Sequence, residues 1–242
     1  MMKIIITKNA QEMGKEGAKI FAEQIRSKPD SVLGLATGST PIPCYQELAR
    51  MHKEENLDFS KITTFNLDEY IGISESDANS YHYFMNNELF QHINVDLKNI
   101  HIPDGNAEDI DLFAKQYDEW IQFAGGIDIQ LLGIGENGHI GFNEPAEELM
   151  TGTGRVQLAQ STINANARFF DIDEEVPKEA ITMGMKTIMD AKKIVIMASG
   201  VKKHDVVKRL AGKEFLSTKM PVSLLFLHSD CTLIVDEAAY NG

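Results

Sequence analysis

Short apolar runs alternate along this chain with longer stretches whose apolar positions recur every third or fourth residue. Lys3 to Thr7 predicts a first strand. Asn9 with Glu12 three residues on predicts a capped helix start, and the helical pattern continues through Ala18, Ile20, Phe21, Ala22 and Ile25 until Pro29-Asp30. Ser31 to Ala36 is a second strand and 41–53 a helix. Ile62 to Leu67 is a third strand. A helix follows over about 80–93, then a short strand or edge segment at 99–103, then a helix over 106–123. In that last helix Trp120 shares helical spacing with Phe113 and Tyr117 and reads as core. Ile127 to Leu132 reads as a buried strand and Arg155 to Ala159 as strand-like. Met185 to Ala191 is helical, Lys193 to Ala198 a strand, and a helix runs on to about Leu210. Pro221 to Leu227 is a short apolar segment, and Cys231 to Val235 is the last strand. Strands alternating with helices of this length predict an α/β fold, a mostly parallel sheet with helices on both faces. The 242 residues suit a single domain over 1–242. Residues 150–175, rich in Thr, Ser, Gly and Asn with weak periodicity, are a candidate lid.

The net charge of −13 changes the list of partners. Nucleic acid and anionic membranes would be repelled by it. An anionic small molecule would need donors concentrated locally. Cys44 and Cys231 form no CxxC and no disulfide framework, which fits a reducing compartment. The N-terminal apolar run is too short for a signal peptide, and no run approaches the ~20 residues of a membrane-spanning helix. The expectation is a cytoplasmic protein that binds neither nucleic acid nor membrane.

Candidate chemistry concentrates where strands end. The buried strand at 127–132 runs into Gly133-Ile134-Gly135-Glu136-Asn137-Gly138-His139-Ile140-Gly141-Phe142-Asn143-Glu144-Pro145. So many glycines disfavour a helix interior and suit a loop that approaches a ligand closely. His139 supplies an imidazole, the side-chain type suited to proton transfer near neutral pH, Glu144 can orient it, and Asn137 can hold a hydroxyl. A bland alternative is a glycine-rich turn with a solvated histidine. The second strand runs into Thr37-Gly38-Ser39-Thr40-Pro41, with Pro41 placed as the first helical residue. Gly38, Ser39 and Thr40 then offer N–H groups and hydroxyls to a phosphate, unless Ser39 or Thr40 is simply the N-cap. The third strand ends in Asp68-Glu69-Tyr70. Strand alternation aims the two acids to opposite sides, so one of them can serve as a general base; a solvated loop pair is the alternative. Arg168, in the 150–175 stretch, can grip a phosphate by two prongs. Lys202, in Ser199-Gly200-Val201-Lys202, is unfavourable in a first helical turn unless an anion offsets it, and so is a second phosphate contact. The seven histidines show no zinc-ligand spacing, and neither a P-loop nor a Gly-x-Ser-x-Gly elbow exists. Gly133-x-Gly135-x-x-Gly138 begins like a dinucleotide fingerprint, but no helical pattern follows it. No metal and no cofactor are expected. This set suits proton transfer on a small phosphorylated sugar.

Five segments together resemble the glucosamine-6-phosphate deaminase (isomerase) family over essentially the whole chain. They are Leu35 to Pro41, Phe65 to Tyr70, Gly133 to Pro145, Asn166-Ala167-Arg168-Phe169-Phe170 and Ser199 to Lys202. The resemblance implies an open Rossmann-like three-layer α/β/α sandwich. It implies conversion of glucosamine 6-phosphate and water to fructose 6-phosphate and ammonia, in amino-sugar catabolism. It gives His139 the opening of the pyranose ring, Glu144 the tuning of that imidazole, and Asp68 the transfer of a proton from C2 to C1. Thr37 to Thr40, Arg168 and Lys202 would hold the phosphate. Many members carry aspartate where this chain has Asn137, so orientation by the amide replaces a literal proton relay. Longer members carry a C-terminal extension used in hexamer assembly and allosteric control; this chain stops soon after Glu237, which leads to an expected monomer or small homo-oligomer without allosteric activation. Two other readings are a 6-phosphogluconolactonase-like hydrolase, which would not be expected to carry Asp68-Glu69-Tyr70, and a sugar-phosphate-sensing domain of a regulator. The acidity and the lack of room for a helix-turn-helix speak against the latter.

Overall fold

A seven-stranded parallel sheet organises the chain. Its strands are β1 (Lys3–Thr7), β2 (Val32–Leu35), β3 (Thr63–Asn66), β5 (Ile100–His101), β6 (Ile129–Gly133), β9 (Ile194–Ala198) and β10 (Cys231–Asp236), in the order β1-β10-β9-β6-β2-β3-β5. The computed structural model describes residues 2–166, 170, 176–212 and 215–242. The residues of β2, β9 and β10 are buried throughout, as strands covered on both faces must be. One face is covered by α1 (Ala10–Ser27), α2 (Ile42–Glu55) and α3 (Tyr81–Glu88), whose Phe21, Tyr45, Leu48 and Met85 pack with Leu33, Leu35, Ile129 and Leu131. The other is covered by α4 (Ile110–Phe123), α6 (Met185–Met189), α7 (His204–Gly212) and α8 (Glu237–Asn241); Tyr117, Ile188, Val207 and Ala239 meet Leu132, Ile196 and Leu233 there. The α/β three-layer architecture is the expected one. Among the described residues no helix is long and apolar enough to cross a membrane.

A second, antiparallel sheet was not expected. The chain does not loop after the third strand: Asp68–Tyr70 forms β4, which pairs with β8 (Glu179–Thr182), itself paired with β7 (Gly154–Gln157). Leu67, whose N–H still bonds to Leu35, joins the two sheets.

Several boundaries move for local reasons. Asn9 caps α1 as expected, accepting from the N–H of Glu12 at 3.0 Å. Pro41 is the N-cap of α2, one position before its expected place, and Pro43 fills the first turn. Asn56, at φ +54°, ends α2 in a left-handed cap. The expected 80–93 helix stops at Glu88 and continues as a 3-10 turn over Phe90–His92. The expected 106–123 helix starts only at Ile110, because Asp109 caps it by accepting from the N–H of Leu112. Trp120 is a correction: the residue is 40% exposed, and its ring packs edge-on against Phe113, with centroids 5.6 Å apart, at the rim of the core.

Strand order determines where a ligand can sit. From β2 the chain moves outward through β3 to β5, then returns to β6 on the other side of β2 and proceeds to β9 and β10. The direction reverses between β2 and β6. The loops leaving their carboxyl ends diverge and open a crevice there. Those loops are Thr37–Pro41 and Ile134–Pro145.

Candidate active site

The loop after β6 folds back on itself in two turns. Gly135 donates its N–H to the carbonyl of His139 at 2.9 Å, and Gly138 donates to that of Gly135 at 3.0 Å. Gly138 adopts φ +89°, a conformation that side chains rarely tolerate. A Cβ added at Gly135 would stand 2.3 Å from Nδ1 of His139, so the imidazole lies directly against this backbone. The amide of Asn143, only 4% exposed, donates to the carbonyls of Ile140 (3.0 Å) and Met183 (2.8 Å) and fixes the second turn.

Three side chains meet on this frame. Asn137 donates to Glu144 Oε2 at 2.7 Å and accepts from the N–H of His139 at 3.1 Å. His139 Nδ1 lies 3.4 Å from Glu144 Oε1, an ion-pair distance at which hydrogen-bond geometry is not met. Thr162, on α5 (Gln160–Asn166), donates to the same Oε1. Burial pushes the Glu144 carboxyl up, but neighbouring His139, with the hydrogen bonds from Thr162 and Asn137, outweighs burial and holds it at about 2. Glu144 is therefore a permanent carboxylate beside the imidazole. Asn137 bridges the Glu144 carboxylate and the backbone of His139.

Asp68 arrives from the second sheet and is 5% exposed. Its neighbour Glu69 points the other way, to the start of α3, where it accepts from the N–H groups of Tyr70 (2.8 Å), Tyr81 (2.9 Å) and His82 (3.1 Å) and contacts His82 Nδ1 at 3.0 Å. A carboxylate is favourable at that positive helix end. The two acids thus diverge as strand alternation requires, and they are neither solvated nor in a loop. Burial first, then the charge of Glu69, push the Asp68 carboxyl up to about 8, against a hydrogen bond from Thr182. Near neutral pH such a group can both take and return a proton.

The second sheet and the glycine loop meet at Gly141. A Cβ added there would lie 3.0 Å from Thr182 Oγ1 and 3.4 Å from Asp68 Oδ2, and the next residue, Phe142, donates its N–H to Thr182 Oγ1 at 3.2 Å. Asp68 and the His139–Glu144 loop therefore share one wall. Tyr81 belongs to it too: its ring packs against that of Tyr70, with centroids 4.9 Å apart, and stacks on Phe142 at 6.2 Å. Burial first, then nearby Tyr70 and Asp68, hold its phenol well above the ordinary value. Sequence reasoning missed Thr182, Thr162 and Tyr81. The one usable signal was Thr182, a polar residue closing the apolar Ala180-Ile181 run.

Thr37 to Thr40 follow the carboxyl end of β2. Gly38 adopts φ +98° as the chain turns from β2 into α2. The N-cap falls on Pro41, which makes no side-chain cap bond, so capping by Ser39 or Thr40 is not how this helix starts. The N–H groups of residues 38–40 stand at the positive end of α2. Lys202 lies in a 3-10 turn, Val201–Lys203, that precedes α7 rather than in the helix itself, and it is exposed. Asp236 pins this turn by accepting from Ser199 Oγ (2.6 Å) and the N–H of Gly200 (3.0 Å). Arg168 lies outside the described residues.

Residues 7–234 match the family model of glucosamine-6-phosphate isomerases/6-phosphogluconolactonase. A glucosamine-6-phosphate deaminase of Thermoanaerobacter sp. (strain X514) is 54% identical over 98% of this chain and 94% of its own length. One from Clostridium perfringens (strain SM101 / Type A) is 54% identical over 98% of both chains. A solved structure described as a monomeric glucosamine-6-phosphate deaminase superposes with a TM-score of 0.95 at 46% identity, covering 98% of both chains. With the family model spanning nearly its whole length, this chain belongs to the glucosamine-6-phosphate isomerase/6-phosphogluconolactonase family.

Proposed function

We propose that this chain is a glucosamine-6-phosphate deaminase, converting glucosamine 6-phosphate and water to fructose 6-phosphate and ammonia. The observation that carries the reading is the convergence of two distinct acid–base groups on one wall of the crevice. Asp68 is buried and poised at about 8, and His139 stands beside the carboxylate of Glu144. A lactone hydrolase needs to activate water once; an aldose–ketose conversion needs one group for the ring and one for carbon.

The steps follow from these positions. His139 shuttles the anomeric hydroxyl proton to the ring oxygen, which breaks the C1–O5 bond and opens the sugar. Glu144 balances the imidazolium charge while Asn137 holds the loop. Asp68 removes the proton from C2 while the substrate's ammonium group gives one to the C1 oxygen, leaving an enol with the amine still attached, and Asp68 then returns its proton to C1. The nitrogen lone pair then completes the C2 ketimine, water adds to C2, and ammonia leaves to give the ketose. The phosphate lies at the Gly38–Thr40 end of the crevice, with Thr37, Arg168 and Lys202 as its other contacts. Its charge is matched there by N–H groups and the helix end against an otherwise repulsive protein.

The same reading treats 1–242 as one cytoplasmic domain with no nucleic-acid or membrane partner, working as a monomer. The three-stranded sheet supports a single domain, because it donates the base to the crevice of the large sheet. Thr162 supports a covering role for 150–175, because it bonds to Glu144 from within that stretch. The test is release of ammonia from glucosamine 6-phosphate beside hydrolysis of 6-phosphogluconolactone. Ammonia release without lactone hydrolysis is the expected result, and the reverse would overturn the proposal.

A further inference from the structure

We propose that Thr182 is a positioning residue that orients Asp68 and ties it to the His139–Glu144 loop, a role that rests on the deaminase reading above. Thr182 is the direct cross-strand partner of Asp68 in the pairing of β4 with β8. Its hydroxyl accepts the N–H of Phe142 at 3.2 Å. That contact uses one lone pair of the oxygen, and the hydroxyl proton remains available to the carboxyl of Asp68, its cross-strand partner. Gly141 provides the room, since a Cβ there would crowd Thr182 Oγ1 and touch Asp68 Oδ2. Thr182 is fully buried, so water does not compete for the carboxyl, and its branched side chain in a strand holds one rotamer. One oxygen thus fixes how far the carbon-proton base stands from the ring-opening loop.

Hydrogen bonding from Thr182 favours the charged form of Asp68 and opposes burial and Glu69. The titratable groups whose charge bears on Asp68 are Glu69 on β4, whose side chain points away from it, Tyr81 on α3 and Tyr117 on α4. None of them is altered by a substitution at 182. Thr182→Val removes the hydroxyl and keeps the shape. Its kcat is expected to fall about tenfold at pH 7 and much less at pH 9, with KM within about twofold, because the acid limb moves to higher pH. Thr182→Ser is expected to restore the wild-type limb. A 13C titration of the Asp68 carboxyl, assigned by its loss in Asp68→Asn, should show the same upward shift in Thr182→Val. This titration needs no turnover, so it judges Thr182 even if glucosamine 6-phosphate proves not to be the substrate. An unchanged Asp68 midpoint, or an equal loss at all pH values in both Val and Ser variants, would overturn the proposal. Should Thr182→Val fail to fold, Thr182→Cys replaces it. Its weaker donor should place the midpoint above that of Thr182→Ser, and equal midpoints would count against the role.

Discussion

In the proposed reaction Asp68 acts as a carboxylate, and its site penalises that charge. Its raised carboxyl binds a proton in the folded protein that the unfolded chain gives up near pH 4. Folding stability therefore falls as pH rises from about 4 to about 8, where the folded carboxyl finally ionises. Asp68→Asn removes that cost. Thermal denaturation at pH 7 to 8 is expected to show a Tm raised by a few degrees, while ammonia release drops by about a hundredfold or more. A lowered Tm would contradict the burial argument. In the wild type, kcat/KM should rise with pH through about 8, since only the ionised base removes the C2 proton. Glu144 behaves in the opposite sense. Held at about 2, it stays charged across the working range, and Glu144→Gln is expected to cost kcat roughly tenfold to a hundredfold while leaving KM nearly unchanged. Asn137→Asp would set two carboxylates where a donor now bonds Glu144 at 2.7 Å, so the pair should retain a proton at far higher pH than Glu144 does. A carboxyl titration of that variant checks this. At this scale the sequence was informative about residue types. Asp68, His139 and Glu144 stand in strand-end strings whose chemistry is readable. Thr182 and Thr162 were not readable, because their roles come from neighbours 114 and 18 residues away in the chain, as the pairs Asp68–Thr182 and Glu144–Thr162 show.

Elements bring these side chains together. Hydrophobic periodicity found the parallel strands and most helices because each buries one strip or two faces. It missed β4 and β8, of three and four residues, because such short segments carry no usable period and their register depends on each other. It also overran α3, where the chain tightens into a 3-10 turn. The glycines of 133–141 were readable as a loop, but their separate tasks emerge only in space. Gly135 leaves room for the imidazole, and Gly138 supplies a left-handed turn. Gly135→Ala is therefore expected to keep the fold, with Tm changed by no more than a few degrees. It should lower kcat by about a hundredfold, because an Ångström-scale displacement of His139 spoils its alignment. A variant with normal kcat would show that His139 need not lie against this backbone.

The whole molecule is acidic, with a net charge of −13, yet the proposed substrate is an anion. Its crevice lies between the diverging ends of β2 and β6. There the helix end of α2 offsets the overall field, and the three-stranded sheet inserts the base. Charge composition therefore argued against anionic partners but could not locate the pocket; strand order points to it. The proposed monomer, rather than a small homo-oligomer, predicts that light scattering returns the mass of one chain at micromolar concentration, with hyperbolic kinetics. The account as a whole depends on two separate acid–base groups acting on one sugar phosphate. Its most direct test follows ammonia and fructose 6-phosphate together from glucosamine 6-phosphate at pH 8, with wild type and Asp68→Asn side by side. The expected result is equimolar formation of both products by the wild type and a loss of about a hundredfold or more in the variant. Absence of ammonia with the wild type, or undiminished turnover by Asp68→Asn, would contradict it.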